Sequence, residues 1–136
     1  MTPEQNKTIV ARFNNEFIEK GNMQVFSDLM ADDFINQTAP PGAPKGPDGV
    51  IYFFNQFLKS AFPDLKVFIH DQVAEGDKVT TRKSFHATHR GEFCGIPATD
   101  KTVVMNVIDI VRLREGKFVE HWGILDLQSV MAQIMG

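Results

Sequence analysis

The sequence is short of the residues that staple, anchor or charge a protein. It has one cysteine, Cys94, so no disulfide can close within the chain, which points to a reducing compartment and, by default, the cytoplasm. No apolar run approaches the ~20 residues of a membrane helix. No leading segment has the charged, apolar, small-residue order of a secretory signal. Basic residues are not in excess: 14 Lys and Arg stand against 17 Asp and Glu, a formal charge of −3, with no basic stripe. Nucleic acid and anionic membrane are therefore not expected partners. Trp and Tyr occur once each, whereas Phe occurs 12 times. That is ample apolar wall material with few polar tips.

Metal ligands are scarce too. His86 and His89 lie on opposite faces of any strand that holds both, His70 is directed away from the core, and no second cysteine accompanies Cys94. No metal site is expected. What remains is 136 residues, 43% of them apolar, enough for one domain over residues 1–136 with a core of its own.

The N-terminal third reads as helix. Thr2, Pro3 and Gln5 compose a capping box with proline at the first helical position. Ile9, Val10, Phe13 and Phe17 then recur at helical spacing until Gly21. Asn22 caps a short second helix with Met23, Phe26, Leu29 and Met30 on one side, and a short strand is expected over Asp33 to Gln37. The prolines at 40, 41, 44 and 47 exclude regular structure before a third helix, whose stripe is Val50, Phe53, Phe54, Phe57, Leu58 and Ala61. From Leu65 the period falls to two. Strands are expected over Leu65–Val73, Lys78–His89, Thr102–Arg114 and Lys117–Leu125, with turns at Gly76 and Glu115-Gly116 and a loop through Gly95 to Asp100. A last amphipathic helix carries Leu127, Val130, Met131 and Ile134. Helices first and an antiparallel meander afterwards define an α+β chain.

A two-residue turn at Glu115-Gly116 pairs Ile110 with His121 and Ile108 with Gly123. One face of the hairpin then holds Asn106, Ile108, Ile110, Val119, His121, Gly123 and Leu125. The other holds Met105, Val107, Asp109, Val111, Phe118, Glu120, Trp122 and Ile124. The first has fewer charges and is expected to face the helices. Asp109 is accordingly expected at the surface or an interface.

Residues 87–101, ATHRGEFCGIPATDK, and residues 116–126, GKFVEHWGILD, resemble the "THxGxFxGxPATGK" and "GKIxEHWxxxD" stretches of the SnoaL-like polyketide cyclases, or ester cyclases. Phe62-Pro63-Asp64 and Asp77-Lys78-Val79 also match the family's pattern. The resemblance implies the cone-shaped α+β barrel of the nuclear transport factor 2-like superfamily, with N-terminal helices closing a curved sheet over a pocket. It implies a homodimer or higher homo-oligomer packed through the sheet. It also implies intramolecular aldol closure of a hydrophobic, carbonyl-containing small molecule with no cofactor.

Such chemistry needs a positioned acid/base in an apolar pocket. His121, mid-strand on the inward face, is the expected catalytic group; the alternative is a core histidine bonded to a neighbour. Where the family pattern places a catalytic Asp after Trp122, this chain has Gly123. Asp126 is the next carboxylate, a second catalytic candidate or the N-cap of the last helix. Asn36 and Gln37 either orient a substrate carbonyl or satisfy the proline-rich loop. Phe54, Ile108, Gly123 and, at the pocket mouth, His89 complete the expected substrate-binding set. Because glycine transfers no proton, a pocket that binds a hydrophobic ligand without chemistry is the alternative function, and a homodimeric interaction module with a vestigial pocket is a third.

Overall fold

The computed structural model describes residues 1–136. Thr2 accepts the Gln5 amide hydrogen while the Gln5 side chain accepts from Thr2, so the capping box forms and starts α1 (Pro3–Arg12). The helix does not stop at Arg12. It widens into a π-helical stretch, Phe13–Glu19, that ends before Gly21. Asn22 caps α2 (Met23–Leu29), which turns directly into β1 (Met30–Asn36). The third helix repeats the pattern of the first: α3 (Pro47–Ile51) runs on as a π-helical stretch, Tyr52–Leu58. Then come β2 (Lys66–Glu75), β3 (Lys78–Thr88), β4 (Thr102–Arg114), β5 (Lys117–Leu125) and α4 (Leu127–Met135).

The sheet order is β1-β5-β4-β3-β2. β2 to β5 form the expected antiparallel meander, but β1 joins the β5 edge in parallel. Helices pack on one face, where Val10, Phe13, Phe17, Phe26, Phe62, Phe85, Met105 and Phe118 are all buried in one cluster. No helix is long and apolar enough to cross a membrane.

The last hairpin corrects the expected facing of β4. Its turn is the expected two residues, with Glu115 at φ 52° and Gly116 at φ 78°, the pair of positive values a type I′ turn requires. Arg114 pairs with Lys117 and Leu113 with Phe118, but the next pair is Arg112 with Glu120. Val119 is therefore an extra residue, and both it and Phe118 are buried. Beyond this bulge Val111 pairs with His121, Asp109 with Gly123 and Val107 with Leu125. His121, Gly123 and Leu125 face inward as expected. On β4 the inward set is Val103, Met105, Val107, Asp109, Val111 and Leu113, while Asn106, Ile108 and Ile110 point out. A single bulged residue turned one strand over relative to its partner.

Candidate active site

Asp109 is the main consequence of that bulge. It is 7% exposed on the helix-facing side of the sheet, neither at the surface nor on the outer face. Its Oδ2 lies 3.0 Å from Lys83 Nζ and 3.4 Å from His121 Nε2. The first is a charge-assisted hydrogen bond. The second is longer than a well-formed hydrogen bond and becomes an ion pair when the imidazole is protonated. Burial pushes the Asp109 carboxyl up, but the Lys83 charge and the contact with His121 outweigh it and hold it below the usual carboxylate range. Asp109 is a carboxylate at neutral pH.

Lys83 is 3% exposed, between Thr81 and Phe85 on the inward face of β3. A lysine is rarely so deep unless paired. Its ammonium also donates to Asn14 Oδ1 at 2.6 Å. Asn14 belongs to the first π-helical stretch, and its Nδ2 donates to the Val10 carbonyl at 2.9 Å, which leaves its oxygen facing Lys83. Helix and sheet are thus joined through a buried polar contact. Lys83 was not among the sequence candidates, although alternation made it visible: Val79, Thr81, Phe85 and Ala87 share its face.

The proton on His121 is placed by β1. Its Nδ1 lies 2.9 Å from Asn36 Oδ1. The same oxygen accepts the Thr38 backbone N–H and the Thr38 hydroxyl, each at 3.2 Å. The Thr38 hydroxyl in turn accepts the Gly123 N–H at 2.9 Å. A backbone N–H can only donate, so the Asn36 oxygen is fixed as an acceptor and His121 must carry its hydrogen on Nδ1. Nε2, the other ring nitrogen, faces Asp109.

Gly123 makes the contact sterically possible. A Cβ there would come within 2.8 Å of His121 Cε1, 2.9 Å of Nε2 and 3.0 Å of Asp109 Cβ. The imidazole occupies the space of the missing side chain. Its side chain keeps 26% of its surface exposed, so the ring is not sealed in. Aromatic rings lie beside Lys83. Phe54 meets Phe85 edge-on at 6.2 Å between centroids, and the Lys83 ammonium sits 5.5 Å above the Phe85 ring. Phe53, Phe54 and Phe57 are only partly buried against the core.

The remaining candidates are dispersed. Asn36 and Gly123 join His121. Gln37 does not: its side chain donates to Glu120 at 2.9 Å. Asp126 accepts the Ser129 N–H at 3.1 Å as the N-cap of α4. Ile108, expected inside, is 54% exposed on the outer face, turned over by the bulge. His89, expected at a pocket mouth, is fully buried, with Nδ1 2.9 Å from Thr99 Oγ1 and its ring against Phe62.

The model for the SnoaL-like polyketide cyclases matches residues 8–134. Among solved structures, IdmH from Streptomyces antibioticus, described as "a putative polyketide cyclase", is 32% identical, with 97% of this chain and 99% of that one covered and a TM-score of 0.87. A "putative polyketide cyclase" from Bacillus cereus ATCC 10987 is 27% identical, with 96% and 80% covered and a TM-score of 0.82. AclR from Streptomyces galilaeus, described as "a putative hydroxylase", is 22% identical with 98% of each chain covered and a TM-score of 0.85, and shares the fold. No curated protein matches the chain.

Proposed function

Because the chain belongs to the SnoaL-like polyketide cyclase family, we propose that it catalyses cofactor-independent carbonyl acid/base chemistry, an intramolecular aldol closure or a close relative of it, on a small hydrophobic molecule. The observation that carries this reading is the contact of His121 Nε2 with the buried Asp109 carboxylate. His121 Nε2, which Asp109 approaches at 3.4 Å without holding it in a hydrogen bond, takes a proton from the carbon beside one carbonyl. The enolate attacks a second carbonyl carbon and forms the C–C bond. The imidazolium then returns the proton to the new alkoxide, so the product is an isomer of the substrate and nothing else is consumed. Asp109 stabilises the imidazolium between the two transfers. Phe53, Phe54 and Phe57 supply an apolar surface that holds the chain of the substrate folded.

Gly123 gave the reading of a ligand-binding protein without chemistry its ground, since it removes a carboxylate. Asp109, directly across the strand pair from Gly123, supplies one to the same imidazole. The test is incubation with an aromatic polyketide ester bearing two carbonyls, followed by mass spectrometry. An isomeric product that His121→Ala reduces at least a hundredfold, in a folded variant, supports the enzyme. Saturable binding with no isomer after long incubation supports the binding protein instead.

We also propose that two copies associate through the outer sheet face. Phe68, Val104, Ile108 and Ile124 are exposed there, Ile124 at 76%. A hollow of about 530 Å³ is lined by Ile108, Ile110, Trp122 and Ile124, and also by Thr38, Asn106, Asp109, Gly123 and Asp126. Exposed apolar side chains around a hollow, with one of them projecting at its rim, are what an isologous contact needs. Light scattering is expected to give a dimer that Ile124→Lys converts to monomer. A wild-type monomer at high micromolar concentration would overturn this.

A further inference from the structure

Lys83 has no part in the proton transfers described above, yet the fold places a full charge in the core to reach one oxygen of Asp109. The two oxygens of that carboxylate are unequal. Oδ2 receives both Lys83 and His121, at 3.0 and 3.4 Å. Oδ1 is buried and has no hydrogen-bond partner. Lys83 and the His121 ring thus address a single oxygen rather than one each. Lys83 in turn is shared between Asp109 and the neutral Asn14 oxygen, which lies closer, at 2.6 Å.

We propose that Lys83 is a positioning residue that sets how tightly Asp109 holds the proton on His121, and that Asn14 sets how much of Lys83 reaches Asp109. The inference deepens the acid/base reading and rests on it for its catalytic meaning, although not for its electrostatics. With Lys83 beside it, the carboxylate divides its charge between two partners and attracts an imidazolium less strongly than an unpaired carboxylate would. Without Lys83, Asp109 and His121 form an exclusive buried ion pair, and the proton stays where it is. The charged and polar groups facing this centre come from four elements: Asp109 of β4, Lys83 of β3, the neutral amide of Asn36 from β1 on Nδ1, and the neutral Asn14 amide from the helical layer.

Two substitutions give opposite signs. In Lys83→Met the midpoint of His121 titration rises by about one unit or more. In Asn14→Leu, Lys83 loses its competing acceptor, moves fully onto Asp109, and the His121 midpoint falls. Lys83→Arg keeps the charge and holds the midpoint near that of the wild type. Each is read by NMR of the His121 ring carbons against pH, on the protein alone with no substrate. The pH–rate curve with the active substrate is expected to shift in the same directions, with kcat changing by tenfold or more and KM by less than threefold. Should Lys83→Met not fold, Asn14→Leu carries the test, because it leaves both charges in place.

A His121 midpoint unmoved in either folded variant, or moved the same way by both, overturns the inference. The two readings fail separately. If the midpoints move as stated but His121→Ala keeps full turnover, the catalytic reading falls and the coupling stands. If His121→Ala abolishes turnover but the midpoints do not move, the coupling falls and the catalytic reading stands.

Discussion

Gly123 and Asp109 are direct partners across the β4–β5 pair, and the side chain that one lacks is the space in which the other meets His121. Ala at 123 would need no unusual backbone, because Gly123 is not among the glycines with positive φ. It would need the imidazole to move, since the new Cβ falls 2.8 to 2.9 Å from Cε1 and Nε2. Gly123→Ala is therefore expected to swing His121 away from Asp109 and lower turnover about a hundredfold, the scale of a lost acid/base. The melting temperature should change by only a few degrees. Turnover within threefold of the wild type would separate His121 from the mechanism.

Asp109→Asn tests the same contact from the other side and adds a stability effect. It leaves the Lys83 ammonium buried without a counter-charge, a loss of about 3 kcal/mol or more. For a domain of this size that is a fall of roughly 10 °C in melting temperature. The double variant Lys83→Met with Asp109→Leu removes both charges and is expected to regain most of that stability while remaining inactive. Calorimetry beside a turnover assay separates the two effects. A double variant as unstable as Asp109→Asn would show that the loss comes from shape rather than charge.

Much of this fold is written in local signals. The Thr2 capping box, the Asn22 cap and the Glu115-Gly116 turn each act within a few residues, and each forms as the sequence implies. The placement of β1 parallel to β5 depends on a long-range pairing that no local pattern announces. The site was half legible for a related reason. Alternation put His121 and Gly123 inward, because every residue concerned lies beyond the bulge on one strand. It put Ile108 in and Asp109 out, because carrying the pattern across the turn assumed no extra residue, and Val119 is that residue. Lys83 needed no such transfer. The strand Val79 to Ala87 places a lysine at an inward position, and a buried charge at a core position signals a partner.

Asp126 separates a structural role from a catalytic one. Its carboxylate accepts the Ser129 N–H and so satisfies one of the free donors at the start of α4. Asp126→Ala should cost about 1 kcal/mol through loss of that cap. Asp126→Asn, which caps as well, should cost little. Neither should change turnover by more than threefold. A large loss of turnover in Asp126→Asn, with stability intact, would return Asp126 to the list of acid/base groups.

Acid should weaken this protein through the same buried carboxylate. An Asp held lower in the folded chain than in the unfolded one contributes stability that is fully present above the unfolded value, about 3.9. That contribution is lost as pH falls from there through the folded value. Asp109 is such a group, through Lys83 and His121 acting against burial. Asp64 is a second, lowered chiefly by the Thr88 backbone N–H, with the Thr88 hydroxyl adding to it; both donate at 2.7 Å. In the unfolded chain both bind protons first, so stability declines as pH falls below about 4. Melting temperatures measured from pH 6 to pH 3 are expected to drop steeply in the wild type and less steeply in the Lys83→Met, Asp109→Leu double variant, which has no buried carboxylate left to protonate. Equal slopes would mean that surface carboxylates, not Asp109, govern acid unfolding.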